Sequence, residues 1–454
     1  MILQKIKTDG LAHLSYFLGS GGEAAVIDPR RDTDVYVDLA RRHNMRITTI
    51  LETHRNEDLI SGASILAAET GATVYHGPNP AEPIRYAETA REGDSFDIGK
   101  ARIEVLETPG HTDDSLSFIL HDTDFDDGPV GVFTGDALFV GDVGRTDFYP
   151  DRAREVAGLL HDSLQKLLTL GDQTLIYPAH GAGSVCGSGM ADREFSSIGH
   201  ERRNNPRLRI ADREAFIDAK VAENHYQPPY FRLMERLNVQ GADAMADHMT
   251  PPAIAPEAAV DANGARVVDI RGIADFAGAH IPGALAIPDD MLAAFAGWLL
   301  DPEQEIRLVS RDPQQAESGA RTLSRIGFDR VSGHLDGIMP VATANLPFRN
   351  LPMIHTETMR ERVQSGGNEH QLLDVRSVDE FESGAIRGAR NIYVGKLPEQ
   401  LDELDPELPV TVYCGSGARA TIAASVLLAS GFGDVDVYLG SVQAWRSAGL
   451  ELAA

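Results

Sequence analysis

The chain has 454 residues, more than one hydrophobic core normally serves, so its length predicts several domains. A formal net charge of −27 disfavours nucleic acid as a partner, because binding to phosphates requires a basic face. The longest apolar run, residues 291–300, is too short to cross a bilayer, and the N-terminal stretch is too rich in charge for a signal peptide. With only two cysteines, the composition predicts no disulfide framework and a reducing, cytoplasmic compartment.

Short apolar runs in the first 248 residues predict a strand-rich domain. Residues 15–18 and 24–28 predict a hairpin, and residues 47–51 predict a strand that ends in a polar loop. Further strands are predicted at 103–106, 116–120 and 131–134, followed by a helix over 152–170.

Four polar motifs in this domain follow one another in a recognisable order. They are THRNEDL at 53–59, TPGHT at 108–112, FTGD at 133–136 and YPAH at 177–180. Together they resemble the metal-binding motifs of the metallo-β-lactamase superfamily, which implies an αββα sandwich of two sheets covered by helices. The first motif of that superfamily is THxHxDH, and here Asn56 and Leu59 replace its second and last histidines.

The loss of these two histidines argues against a two-zinc centre. The persulfide dioxygenase branch of the superfamily, by resemblance, uses only the residues matching His54, His111 and Asp136. Two imidazoles and one carboxylate can hold a single iron with open positions for oxygen and substrate. The resemblance therefore implies one Fe²⁺ per chain.

Four other residues are candidates for supporting roles in this site. Asp58 and His180 complete a second metal site in relatives, but without a ligand at Leu59 we expect them to orient the three ligands by hydrogen bonding, with direct coordination as the alternative. Arg145 is expected to pack the pocket wall through a pair with Asp147, or to meet substrate. Cys186, in a glycine-rich segment after His180, either relays substrate sulfur or is an inert turn residue.

The rest of the chain follows a proline-rich segment, 251–256, that predicts a stiff linker. Beyond it, the stretch from Val268 to Gly283 repeats from Leu373 to Gly388 at an offset of 105, and the offset becomes 104 after one deletion. The sequence therefore predicts two copies of one domain, at 258–346 and 355–454, separated by a second linker at 345–352.

The second copy carries Cys414 in a loop between a predicted strand, 410–413, and a helix predicted from about Arg419. Loop amides and a helix N-terminus favour a negatively charged sulfur, and Arg419 adds a fixed charge. This loop resembles the active loop of a rhodanese, a family of small parallel α/β sulfurtransferases. The loop residues after the cysteine are Gly415, Ser416, Gly417 and Ala418.

The first copy has Ser310 at the cysteine position and Gln315 at the arginine position. A serine hydroxyl does not ionise usefully, and Asp312 in the same loop would repel an anionic sulfur substrate. We therefore interpret this copy as an inactive module for packing or interaction.

The combined resemblance implies sulfide detoxification. The iron site would oxidise a low-molecular-weight persulfide with O2 to sulfite, and Cys414 would carry sulfur as a persulfide, forming or using thiosulfate. The thiol carrier, the direction of sulfur transfer and a homo-oligomeric state are left open. A zinc thioester hydrolase resembling glyoxalase II, fused to a rhodanese, and a non-catalytic sulfide sensor or sulfur carrier remain as alternatives, which metal content would distinguish.

Overall fold

The computed structural model describes residues 1–125, 128–184, 189–246, 249–365 and 370–453. The chain divides into two compact units, and each is described by itself. The first comprises Met1–Met245 with Arg325–Gly327, and the second comprises Ala246–Ser324 with Phe328–Ala454. No helix in the described ranges is both long enough and apolar enough to cross a membrane.

The first unit is built on strands β1 (Ile2–Thr8), β2 (His13–Ser20), β3 (Glu23–Ile27), β4 (Arg46–Leu51), β5 (Thr73–His76), β6 (Glu88–Thr89), β7 (Ser95–Ile98), β8 (Ala101–Glu107), β9 (Leu116–Asp122), β10 (Gly131–Gly135), β11 (Leu175–Pro178) and β12 (Ser196–Ser197). Its helices are α1 (Asp34–His43), α2 (Ala63–Thr70), α3 (Ala153–Leu168), α4 (Ile198–Asn204), α5 (Arg213–Val221) and α6 (Phe231–Gln240).

These strands form two six-stranded sheets, one in the order β1 to β6 and the other in the order β12 to β7. In β8 every second side chain is buried, as expected for a strand with one face on a core. The core between the sheets includes Tyr16, Phe118 and Phe133. Helices α1 and α2 cover the outer face of the first sheet, and α3 covers the second through Leu160 and Leu164. The predicted αββα sandwich is confirmed.

The second unit contains strands β13 (Arg266–Asp269), β14 (Leu285–Ala286), β15 (Ile306–Ser310), β16 (Val331–Asp336), β17 (Met353–Ile354), β18 (Gln371–Asp374), β19 (Arg390–Asn391), β20 (Val410–Tyr413) and β21 (Val435–Tyr438). Its helices are α7 (Pro256–Val260), α8 (Ile273–Gly278), α9 (Leu292–Leu299), α10 (Pro313–Arg325), α11 (Met339–Thr343), α12 (Thr356–Ser365), α13 (Val378–Glu382), α14 (Ala418–Ala429) and α15 (Ser441–Ser447).

The repeat predicted from the sequence appears as two parallel sheets with the same strand order. The first copy has the order β14-β13-β15-β16, and the second has β19-β18-β20-β21 with β17 added beyond β21. All neighbouring strands in both sheets are parallel. Parallel strands joined through helices give the small α/β domain that the strand and helix alternation predicts.

The two segments predicted as linkers hydrogen-bond to the first copy. The amide of His334 donates to the carbonyl of Pro252, and the amide of Ile254 donates to the carbonyl of His334, both at 2.9 Å. In the other segment, Arg349 and His280 exchange backbone hydrogen bonds of 2.8 and 2.9 Å. Both segments are therefore hydrogen-bonded parts of the first copy, whereas their composition alone predicts linkers between domains.

Candidate functional site

His54, His111 and Asp136 converge at one buried point in the first unit. Each offers one ligand atom, and these atoms all lie within 4.8 Å of one another, the one such cluster of three or more metal-ligating side chains in the described ranges. The Oδ2 atom of Asp136 is 3.8 Å from Nε2 of His54 and 3.4 Å from Nε2 of His111. Ligand atoms that each lie about 2.1 Å from one metal ion stand roughly 3 Å or a little more apart, so the spacing fits an ion between them.

Hydrogen bonds determine which ring nitrogen of each histidine faces this point. The Thr53 hydroxyl donates to Asp28 at 2.9 Å, so it accepts a hydrogen bond from Nδ1 of His54, also at 2.9 Å. Nδ1 of His111 donates to the backbone carbonyl of Arg145 at 3.0 Å. Both Nε2 atoms therefore carry a free lone pair, and that of His111 is buried without a hydrogen-bond partner in the described structure. An orphaned buried nitrogen of this kind fits a metal ligand.

Burial and charge set the protonation states that coordination needs. Burial lowers the pKa of His54 to about 4, although the charge of Asp136 opposes it, and burial also lowers the pKa of His111. Burial alone would raise the pKa of Asp136, but the charges of His180 and His54 outweigh it and hold this pKa below its ordinary value. Two neutral imidazoles and one carboxylate are the forms that bind a metal.

Glycine at two positions allows the ligand segments to approach closely. Gly135, at φ +53°, would place a Cβ only 2.7 Å from Thr53, and Gly110, at φ +134°, would place one 2.3 Å from the backbone of Leu160. A side chain at position 135 would push the Asp136 segment away from the loop after β4, and one at position 110 would push the His111 segment away from α3.

His180 lies between two buried carboxylates. Its Nδ1 donates to the oxygens of Asp136 at 2.8 and 3.0 Å, and its Nε2 is 3.1 Å from Oδ2 of Asp58. The structure thus places His180 in contact with both Asp58 and Asp136, one of the three clustered ligand residues. Leu59 is buried and cannot coordinate.

Arg145 is buried beside the centre. Its guanidinium donates twice to Asp147 at 2.6 Å and once to the carbonyl of Tyr226 at 3.2 Å. It also lies over the rings of Phe148 and Phe231, at 5.0 and 6.0 Å from their centroids. Its backbone orients His111, while its side chain pairs with Asp147 and packs over two aromatic rings. Cys186 lies outside the described residues.

His13, at the start of β2, has no motif in the sequence that marks it as part of this region. It is completely buried, its ring meets that of His180 edge-on at 5.4 Å, and neither ring nitrogen has a hydrogen-bond partner in the described structure. Burial, reinforced by the charge of His180, lowers its pKa well below the ordinary value. Only the pairing of β2 with the segment that follows β11 reveals its position.

Cys414 directly follows β20 in the second unit and is buried as a free thiol. Its Sγ accepts a hydrogen bond from the amide of Gly417 at 3.1 Å. The hydroxyl of Ser441, also buried, accepts from the Cys414 amide at 3.0 Å and lies 3.9 Å from Sγ. Gly417 adopts φ +98°, and helix α14 begins directly after it at Ala418, one residue earlier than predicted.

The Arg419 guanidinium at this loop is neutralised by a partner that the sequence did not indicate. It donates to both carboxylate oxygens of Glu380, at 2.6 and 2.8 Å. Partial burial alone would raise the pKa of Glu380, but the hydrogen bond and charge of Arg419 outweigh it and lower this pKa to about 2. Glu380 also accepts from the Ser377 backbone in the capping box of α13.

In the first copy the matching loop is closed by its own side chains. The Gln315 amide oxygen accepts from the Arg311 amide at 2.7 Å, and its nitrogen donates to Asp289 at 2.8 Å and to the Ile270 carbonyl at 3.1 Å. Asp312 accepts from the Gln315 amide at 2.8 Å at the start of α10. The hydroxyl of Ser310 is buried with no hydrogen-bond partner in the described ranges.

Comparison with known proteins assigns a family to each part of the chain. Residues 8–180 match the family model described as the metallo-beta-lactamase superfamily, and residues 256–340 and 356–448 match that of the rhodanese-like domain. "Persulfide dioxygenase ETHE1, mitochondrial" of Bos taurus is 31% identical over 205 residues, 44% of this chain and 73% of that protein.

Two further relatives extend the comparison. "Beta-lactamase hydrolase-like protein" of Agrobacterium fabrum is 26% identical over 48% of this chain, which spans only 54% of that relative's length. The crystal structure of a metallo-beta-lactamase from Staphylococcus aureus subsp. aureus COL is 29% identical with a TM-score of 0.67, covering 74% of this chain and 98% of that one. The chain therefore belongs to the persulfide dioxygenase family of the metallo-β-lactamase superfamily, in a form that also carries two rhodanese domains.

Proposed function

We propose that this protein oxidises a low-molecular-weight persulfide to sulfite at an iron(II) centre and transfers sulfane sulfur through a persulfide on Cys414. The observation that carries the first half is the cluster of His54, His111 and Asp136, with two neutral imidazoles turned toward one carboxylate. The observation that supports the second is the buried thiol with a loop amide aimed at its sulfur.

The overall oxidation converts a persulfide, O2 and water into a thiol, sulfite and two protons. The outer sulfur loses four electrons, and one O2 accepts them. Iron(II) bound to the three ligands would supply open positions where O2 and the persulfide sulfur meet.

The protein's own residues set up this chemistry. Thr53 and the Arg145 carbonyl fix the rotation and tautomer of the two histidines, and His180 holds the carboxylate of Asp136. The rings of Phe148 and His111 meet edge-on at 5.2 Å, giving the centre an apolar side that excludes bulk water. The missing ligand at Leu59 disfavours the two-metal hydrolase alternative.

The sulfur transfer step needs no oxidant. The Cys414 thiolate attacks the outer sulfur of thiosulfate, the sulfur–sulfur bond breaks, and its electron pair leaves with sulfite. In reverse, sulfite takes the outer sulfur from the Cys414 persulfide and forms thiosulfate. The Gly417 amide and the N-terminus of α14 stabilise the anionic sulfur in either direction.

A double dissociation tests the proposal. His111→Ala should abolish iron binding and persulfide-dependent oxygen uptake but leave thiosulfate:cyanide sulfur transfer intact. Cys414→Ser should do the opposite and shift the product from thiosulfate toward sulfite. His121→Ala is the matched control, because His121 lies outside the metal cluster, beside Glu104.

Metal analysis of the purified protein accompanies this experiment. We expect about one iron per chain. Two zinc ions per chain would instead favour a thioester hydrolase, and a metal-free protein would favour a sensor or carrier. Loss of both activities in either single variant would contradict the separation of the two sites.

A further inference from the structure

A cavity of about 470 Å³ opens beside the Cys414 loop. Its wall includes Gly415 of the loop, Glu380, and the guanidinium-bearing side chains of Arg376 and Arg446. The substrates of a thiosulfate or sulfite reaction are dianions, and they meet a sulfur that is itself negative. The cavity must therefore supply positive charge that is free to meet a ligand.

Two arginines, one lining this cavity and one in the Cys414 loop, already have carboxylate partners. Arg376 donates to both oxygens of Asp374, at 2.6 and 3.0 Å, and to the Gly384 carbonyl at 2.9 Å. Arg419 is held by both oxygens of Glu380. The charge of each guanidinium is therefore compensated by a neighbouring carboxylate.

Arg446 differs from both. It is exposed, and within the described residues its side chain has neither an ion pair nor a hydrogen bond. It lies on α15, whose amides of Val442 and Gln443 donate to the carbonyls of Cys414 and Gly415 at 3.1 Å each. The neighbouring Trp445 is buried and donates to the Glu451 carbonyl at 3.0 Å. The helix thus fixes the backbone of this free cation relative to the cysteine.

The inactive copy provides an internal comparison. At the offset of 104 that pairs Ser310 with Cys414, Arg446 corresponds to Ala342. The copy that lacks the nucleophile therefore also lacks the cation. Because the two copies share one strand order, the same position exists in both, and only the amino acid at that position differs.

We infer that Arg446 is a binding site for the oxyanion end of thiosulfate and sulfite, with its guanidinium donating to the sulfonate or sulfite oxygens while Cys414 meets the sulfur. This inference rests on the proposed sulfur transfer by Cys414. A planar guanidinium with several donors suits an oxyanion better than an ammonium does. Arg446 thereby makes the site selective for sulfur compounds with an anionic oxygen end.

Steady-state sulfur transfer to cyanide tests the inference in the full-length protein. Arg446→Gln should raise the KM for thiosulfate about tenfold, the loss expected for one charge-assisted hydrogen bond, with little change in kcat. Arg446→Lys should restore part of the affinity. With 2-mercaptoethanol persulfide as donor, which has no sulfonate, Arg446→Gln should behave like the unchanged protein.

Arg311→Gln is the matched control, since Arg311 is an exposed arginine in the matching loop of the first copy. An unchanged KM for thiosulfate in Arg446→Gln, or an equal rise in Arg311→Gln, would overturn the oxyanion site. Mass spectrometry of the Cys414 peptide separates this failure from a failure of the proposed function. If thiosulfate adds one sulfur atom to Cys414 in the unchanged protein, the transfer role stands; if it does not, that role itself is wrong.

Discussion

Replacing His180 by alanine should weaken iron binding without changing how much metal the protein can hold. The variant loses the hydrogen bonds of 2.8 and 3.0 Å to Asp136 and the 3.1 Å contact with Asp58. It leaves His54, His111 and Asp136 in place. A hydrogen bond to a charged group contributes about 1.5–3 kcal/mol, so we expect roughly 10- to 100-fold weaker iron affinity.

Competition with a series of chelators of graded affinity, followed by measurement of bound iron, gives the dissociation constant directly. Saturating iron should still give the same content per chain as the unchanged protein. Asp58→Asn should cause a smaller loss, because it removes the charge facing Nε2 of His180 but leaves the Asp136 hydrogen bond. His121→Ala, away from the cluster, should leave the affinity unchanged.

Two results would refute this interpretation of His180. If the unchanged protein binds two metal ions and His180→Ala binds one, His180 is a ligand of a second ion. If His180→Ala binds iron as tightly as the unchanged protein, the Asp136 contact does not orient the carboxylate.

Three other changes have defined outcomes. Ser310→Cys in a Cys414→Ser background should give no thiosulfate:cyanide transfer. The Gln315 side chain accepts the hydrogen bond of the Arg311 loop amide, and Gln315 stands where the second copy has Arg419, so neither group is available to an anionic sulfur. Ser441→Gly should slow sulfur transfer and lower the free energy of unfolding in urea by about 1 kcal/mol, because relief of φ +51°, about 1 kcal/mol, offsets only one of the two lost hydrogen bonds, each also about 1 kcal/mol. Glu380→Gln should reduce the loss of stability in acid. Because the pKa of Glu380 is lowered to about 2, its pair with Arg419 stabilises the fold above pH 4.5, and this stabilisation is lost as the pH falls toward about 2. Urea unfolding at several pH values measures the difference.

Each of these three variants can also give a contrary result. Turnover by Ser310→Cys would show that the first copy lacks only its nucleophile. A full transfer rate in Ser441→Gly would show that the hydroxyl does not position Cys414. An acid profile of Glu380→Gln identical to that of the unchanged protein would show that the pair adds nothing measurable to stability, as happens for many exposed ion pairs.

The residues that sequence reasoning found are those whose motifs lie next to strand ends. His54 follows β4, Asp136 follows β10 and Cys414 follows β20, so an apolar run and the polar residue after it predict both the strand and the position of the side chain. The repeat likewise predicted two domains of one topology, because identical strand–helix alternation leads to the same sheet.

The residues that it missed depend on contacts distant in the sequence. Glu380 meets Arg419 and Ser441 meets Cys414 only because α13 and α15 return to the same loop. His13 reaches His180 only through the pairing of its strand with the segment after β11. Composition and local periodicity carry no information on which distant loop a side chain meets, so these partners had no signal in the sequence.

The retention of a copy without a nucleophile follows from how α14 is packed. This helix carries the Cys414 loop at its start, and its residues from Ala420 to Leu427 are all buried, as expected for a helix covered on several sides. The first copy provides part of that cover: the amide of Ala286 donates to the Ser425 hydroxyl at 2.9 Å. Trp298 packs against Tyr393 at a ring distance of 5.7 Å, and a Cβ on Gly395 would meet its indole at 2.6 Å. Removing the first copy would uncover Ser425 on the helix that begins at the Cys414 loop, so we expect the second copy to need the first for its packing.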